Sequence, residues 1–189
     1  LPDQLGLLCS VTRLDLSNNA ISALPSTVRG LKELIFLNAN HNRLERIPDA
    51  IAHCSRLEEI HLAANRMRDV PLILGGCGAL RFLDLTSNII EKLPADLQRL
   101  SNVKVICLGK NRLRSLPIEI VNLFDSIDAI HIDRNPLTDL PPRWAKFVGK
   151  SAHERALWPS GYDNETAFDW VRDHSLFYAQ ALEEWNATG

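Results

Sequence analysis

Four residues able to do chemistry recur at one phase of this chain: His61, Asp84, Cys107 and His131 stand 23, 23 and 24 residues apart. On neighbouring strands that spacing puts a thiol between a carboxylate and an imidazole, the raw material of covalent catalysis or metal binding. A relay of nucleophile, base and orienter needs the imidazole in the middle. Here Cys107 holds the middle, between Asp84 and His131. Side chains in a row at about 4.8 Å on a sheet also fail to converge as a tetrahedral metal site requires. Neither a catalytic centre nor a metal site is expected from this row.

Other fragments fail on similar grounds. Gly149-Lys150-Ser151 ends like a phosphate-binding loop, but Trp144 stands where the first glycine belongs and no strand precedes it. His53-Cys54-Ser55-Arg56 has a nucleophile's look, yet Ile60 replaces the arginine that a cysteine phosphatase carries six residues after its cysteine. Gly75-Gly76-Cys77-Gly78 lacks a lysine and reads as an irregular turn. We therefore expect no enzyme, no cofactor and no small-molecule substrate.

What positions the row of four is a repeat. An apolar residue, two variable positions, apolar-x-apolar, two more and an asparagine recur as Val11-Leu14-Leu16-Asn19, Leu34-Leu37-Ala39-Asn42 and Leu57-Ile60-Leu62-Asn65. They continue as Leu80-Leu83-Leu85-Asn88, Val103-Ile106-Leu108-Asn111 and Ile127-Ile130-Ile132-Asn135. A fixed period of this length means stacked supersecondary units, each burying its apolar face against its neighbours. The alternation Leu14-x-Leu16 predicts a short strand, paired in parallel with its equivalent one repeat later. The period then changes to three in Val28-Leu31-Leu34, Ile51-Cys54-Leu57 and Leu97-Leu100-Val103, as a helical turn needs, and a proline opens each turn. An asparagine amide both donates and accepts, so a column of asparagines can satisfy stacked bends. We read all six as structural.

These residues carry a resemblance. L-x-x-L-x-L-x-x-N, followed by the Leu-Pro steps Leu24-Pro25, Ile47-Pro48, Val70-Pro71, Leu93-Pro94, Leu116-Pro117 and Leu140-Pro141, resembles the leucine-rich repeat in its 23-residue variety. It is similar to intracellular Ras-group-related and Scribble-like scaffold repeats. The match covers residues 1–142. It implies an α/β solenoid with a curved parallel β-sheet on the concave side and short helical turns on the convex side. The resemblance also implies protein binding as the usual activity, with no catalytic motif to carry across.

Composition agrees. A hydrophobic content of 46% supports a continuous core, and a net charge of -2 gives no global bias toward nucleic acid or membranes. No apolar run approaches the roughly 20 residues of a spanning helix and no secretory signal is visible, so no membrane partner is expected. Cys54 and Cys77 replace the leucine of the convex turn and read as small hydrophobes, and no flanking cysteine cluster is present. A reducing, intracellular and cytoplasmic setting is expected, over the secreted one that Asn164-Glu165-Thr166 and Asn186-Ala187-Thr188 would fit. Leu1-Pro2 through Leu5 and Leu8 match the second half of a repeat, so an upstream segment is expected to supply the first cap.

Counted from each frame, one outward lane of the concave face reads Arg13, Phe36, Glu59, Phe82, Val105, Ala129. The next reads Asp15, Asn38, His61, Asp84, Cys107, His131. Phe36 and Phe82 are expected to be exposed there and to anchor a protein partner. The loops after the asparagines carry Arg43, Arg46, Arg66, Arg68, Lys92, Arg112 and Arg114 along one edge. Glu45, Asp69 and Glu91 are interleaved, so surface pairing is expected, with an anionic protein or RNA backbone as the functional alternative.

Beyond Pro142 the composition shifts: nine of the twelve aromatic residues lie in residues 143–189, including all four tryptophans. Trp144 and Phe147 are expected to close the last repeat. From Asn164 an apolar stripe through Trp170, Phe177, Tyr178 and Trp185 steps by threes and fours, predicting an amphipathic helix that docks another subunit, with folding back as a remote cap on the solenoid as the alternative. The expected function is that of a non-catalytic adaptor or assembly subunit binding other proteins. A regulatory subunit for a small GTPase or protein phosphatase is the alternative, and an RNA-contacting subunit of a ribonucleoprotein the third reading.

Overall fold

The computed structural model of the chain describes residues 1–117, 119–120 and 126–138. Trp144, Phe147, the boundary at 142/143 and the expected docking helix with Trp170, Phe177, Tyr178 and Trp185 lie outside the described residues.

Each frame makes one three-residue strand: β1 (Arg13–Asp15), β2 (Phe36–Asn38), β3 (Glu59–His61), β4 (Phe82–Asp84), β5 (Val105–Cys107) and β6 (Ala129–His131). They form one parallel sheet in sequence order. The register joins equivalent residues of successive repeats, as in Leu37↔Ile60↔Leu83↔Ile106↔Ile130. That central residue points inward, and from β2 to β5 it is fully buried. The expected α/β solenoid is what forms, with the strand alternation setting which side chains face out.

The period of three becomes 3-10 helix rather than α-helix. Five such helices, Asp3–Leu7, Ser26–Gly30, Asp49–His53, Leu72–Gly76 and Leu97–Leu100, stand opposite the strands among the described residues. Their hydrogen bonds run three residues back, Val28 N–H to Pro25 O, Leu31 N–H to Val28 O and Leu34 N–H to Leu31 O, at 3.0–3.2 Å. Three residues per turn puts Val28, Leu31 and Leu34 on one buried side. Proline precedes the first four helices as the N-cap residue, extended at Pro2, Pro25 and Pro48 and with a smaller ψ of 83° at Pro71. Gly75-Gly76 closes a regular 3-10 helix rather than an irregular turn, because the helices stack so closely that a Cβ on Gly75 would overlap the carbonyl of Arg99.

The asparagine column is built as expected. Asn65 Nδ2 donates to the carbonyls of Ala39 (2.9 Å), Leu62 (3.1 Å) and Ala63 (3.3 Å), while its Oδ1 accepts the Leu44 N–H at 2.9 Å. Asn42, Asn88, Asn111 and Asn135 repeat the pattern. Asn19 is exposed and donates only within its own repeat, to Leu16 O and Ser17 O. Asn135 reaches back 27 residues to Leu108 O where the others reach 26, because the last repeat carries one extra residue, which the sequence places between Ile120 and Ile127. The strand register Val105↔Ala129 is unaffected.

The residue before every asparagine is left-handed: Asn18, His41, Ala64, Ser87, Lys110 and Arg134 have φ of 53–56°. This conformation costs an L-residue roughly 1–2 kcal/mol. Ala64→Gly should therefore raise stability by about 0.5 kcal/mol even after glycine's greater chain entropy. Its neighbour Ala63, which is not left-handed, provides the control, since Ala63→Gly should lower stability. A lower urea midpoint for Ala64→Gly would show that the bend imposes no such strain.

Candidate protein-binding face

The outward lanes of the sheet lie side by side through the register Arg13↔Phe36↔Glu59↔Phe82 and Asp15↔Asn38↔His61↔Asp84. The side chains do not stay in their lanes. His61 leans between the two phenylalanines, its ring 5.0 Å from Phe36 and 5.0 Å from Phe82, tilted by 44° and 36°. The Arg13 guanidinium sits 4.0 Å over the far side of Phe36, a cation–π contact. Arg13, Phe36, His61 and Phe82 thus make a continuous ribbon across four strands. Glu59, in register between the two phenylalanines, brings a carboxylate oxygen to 3.5 Å from His61 Nε2. His61 Nδ1 is buried and has no hydrogen-bond partner.

This corrects the expectation of two exposed phenylalanines. Phe36 is half-buried, but Phe82 is only 7% exposed and His61 only 3%, because the stacked rings cover one another. Val105 and Ala129, further along the lane, are buried too.

The second lane also works locally. Asp15, Asn38 and Asp84 each accept, through Oδ1, the backbone N–H two residues on, from Ser17 (2.8 Å), Asn40 (3.1 Å) and Thr86 (2.9 Å). These bonds close the bend at the strand end. Those from Ser17, with Asn38 adding a further one, hold the Asp15 carboxyl below its usual range. Asp or Asn at this phase in three of the six frames is the sequence signal for such caps.

Asp84, Cys107 and His131 do stand in adjacent register. Their electrostatics oppose nucleophilic chemistry. Burial pushes the Cys107 thiol well up, and the carboxylates of Asp84 and Asp133 push it further, whereas a reactive cysteine needs a lowered value. Burial likewise lowers the His131 pKa, partly countered by Asp133 and Asp84. Among the described residues no three His, Cys, Asp or Glu side chains converge as a metal site would need.

The turn-side cysteines are more than small hydrophobes. Cys54 and Cys77 donate their S–H to Val28 O (3.4 Å) and Ile51 O (3.3 Å) of the preceding repeat. Burial raises both thiols, Cys77 to about 12. In native protein Ellman's reagent should modify exposed Cys9 rapidly, and Cys77 at least about a hundredfold more slowly, through opening of the fold. Equal rates would place Cys77 at the surface. Because the folded thiol stays protonated after the unfolded one has lost its proton, stability should fall as pH rises from about 9 toward 12.

Along the other edge Arg43, Arg46, Arg66, Arg68, Lys92, Arg112 and Arg114 are all exposed, as are Glu45, Asp69 and Glu91. The expected pairing is not seen. Among the described residues ion pairs join Arg56 to Glu33 and Arg99 to Asp96, His61 Nε2 approaches a Glu59 carboxylate oxygen, and none of these contacts involves this edge.

The leucine rich repeat family model matches residues 9–67. No curated protein matches the chain. Among solved structures, a leucine-rich-repeat protein of Leptospira interrogans aligns with a TM-score of 0.68 and 26% identity, over 75% of this chain and 36% of that one. The structure of a TLR13–ssRNA13 complex aligns with a TM-score of 0.68 and 24% identity, over 74% and 20%. The ectodomain of the Arabidopsis thaliana receptor kinase GASSHO1/SCHENGEN3, solved with CASPARIAN STRIP INTEGRITY FACTOR 2, aligns with 0.59 and 24%, over 71% and 17%. The chain spans about a third of the first of these and a fifth or less of the others. The fold is that of a leucine-rich-repeat solenoid, an architecture of binding modules.

Proposed function

We propose that this solenoid is a non-catalytic protein-interaction module, an adaptor or structural subunit of a larger intracellular assembly, and that its partner seats on the strand face at the ribbon of Arg13, Phe36, His61 and Phe82. One observation carries the reading. An arginine and three stacked rings lie outward on a sheet beside a buried imidazole nitrogen with no hydrogen-bond partner. Aromatic and arginine anchors in desolvated surroundings are what protein hot spots are made of.

The test is affinity purification with mass spectrometry, using the full chain and its Phe36→Ala variant. Partners should be recovered with the parent and lost with the variant. Recovery of a small GTPase or phosphatase would assign the regulatory role, and a many-subunit assembly the structural one. The same partners captured equally by both proteins would remove the binding face from the ribbon.

A further inference from the structure

The basic edge is a second surface, separate from the ribbon. Its first column, one residue after each asparagine, reads Arg43, Arg66, Ile89, Arg112. Each of these backbone N–H groups donates to a carbonyl of the preceding repeat, Ile21, Leu44, Met67 and Ile90, at 2.8–3.0 Å. The next residue in every repeat, Leu44, Met67, Ile90 and Leu113, is buried. The column is therefore a fixed staircase with a rise of about 4.8 Å per repeat, rather than a set of wandering loops. Two positions on, Glu45, Arg68, Glu91 and Arg114 alternate in sign. With seven basic side chains against three acidic ones, the edge is positive in a chain whose net charge is -2. None of these charges is neutralised by an ion pair among the described residues, although pairs form elsewhere on the same solenoid. Such a stripe attracts an anionic partner.

We propose that this edge binds an acidic polypeptide segment carrying an apolar residue among its carboxylates. Ile89 and the two glutamates decide between polypeptide and nucleic acid. A phosphodiester chain is uniformly negative, and along this edge it would meet half-buried Ile89 in the arginine column and Glu45 and Glu91 beside it. A peptide is not uniform. Extended at about 3.4 Å per residue, it can set carboxylates against Arg43, Arg66 and Arg112 and an aliphatic side chain against Ile89.

The experiment titrates the full chain, by fluorescence anisotropy at low salt, with three labelled probes: a twelve-residue peptide of repeating Glu-Glu-Leu, an all-glutamate peptide of equal length, and a twelve-nucleotide oligouridylate. The leucine-containing peptide should bind most tightly. Its affinity should fall at least about tenfold in the Arg43→Glu, Arg66→Glu, Arg112→Glu triple variant, with the melting temperature unchanged. Phe36→Ala should leave it unaltered, which keeps this result independent of the ribbon. Tightest binding of the oligouridylate would overturn the proposal in favour of nucleic acid. Equal or tighter binding of the all-glutamate peptide would overturn the part given to Ile89, and no peptide binding by the parent chain, or an affinity unchanged in the triple variant, would overturn the site itself.

Discussion

Asn65→Ala should destabilise the solenoid by about 3 kcal/mol, the sum expected when several buried polar groups lose their partner at once. The Leu44 N–H loses its acceptor, and the carbonyls of Ala39, Leu62 and Ala63 lose a donor at a site where the asparagine is only 8% exposed. The orphaned N–H weighs most, because a carbonyl has a second lone pair and an amide has one proton. Asn65 also ties two repeats together, and a solenoid's stability rests on such neighbour interfaces. Asn19→Ala provides the internal comparison. It removes two bonds within one exposed bend and should cost under about 1 kcal/mol. Urea denaturation of the two variants should separate their midpoints widely. Similar midpoints would mean that water replaces the amide throughout the column.

Phe82→Ala should lower stability by about 3 kcal/mol, in the range for truncating a phenylalanine that is nearly buried. The ring is 7% exposed and packs on His61, so its removal opens a cavity and uncovers an imidazole whose Nδ1 is already without a partner. Phe82→Leu should recover most of the loss, since it keeps apolar volume under the histidine. Phe36→Ala, at the half-buried end of the ribbon, should cost clearly less. Phe36 is thus the residue at which binding can be separated from folding. Equal losses at Phe36 and Phe82 would mean that the ribbon has no exposed end.

The fold was legible because its signal is periodic. Leu37, Ile60, Leu83 and Ile106 sit in adjacent register as their spacing of 23 predicts, and the asparagine column follows from the same arithmetic. What the sequence hid is what periodicity cannot carry. The left-handed position holds Asn, His, Ala, Ser, Lys and Arg in turn, so no residue preference marks it; stacked backbone hydrogen bonds such as His41 N–H to Ala63 O impose the conformation regardless of side chain. The ribbon was hidden for another reason. Lane assignment says which way a Cβ points, and His61 leaves its lane at the ring, where packing against Phe36 and Phe82 outweighs direction. The edge charges were misjudged because adjacency in a column does not ensure pairing between long, solvated side chains.

The extra residue of the last repeat shows where this molecule tolerates change in length. It falls between Ile120 and Ile127, while Val105 still pairs with Ala129 and Asn135 still reaches Leu108 and Leu113. Counting is thus strict along the strands and the asparagines and relaxed between Ile120 and Ile127. A tag or epitope grafted between those isoleucines would leave the recognition lanes in step. By contrast, one residue inserted between Leu62 and Asn65 would pull Asn65 away from the Leu62 and Ala63 carbonyls and from the Leu44 N–H. Diversification by insertion and diversification of the binding surface are therefore separable in this chain, the first belonging to the stretch between Ile120 and Ile127 and the second to the strands.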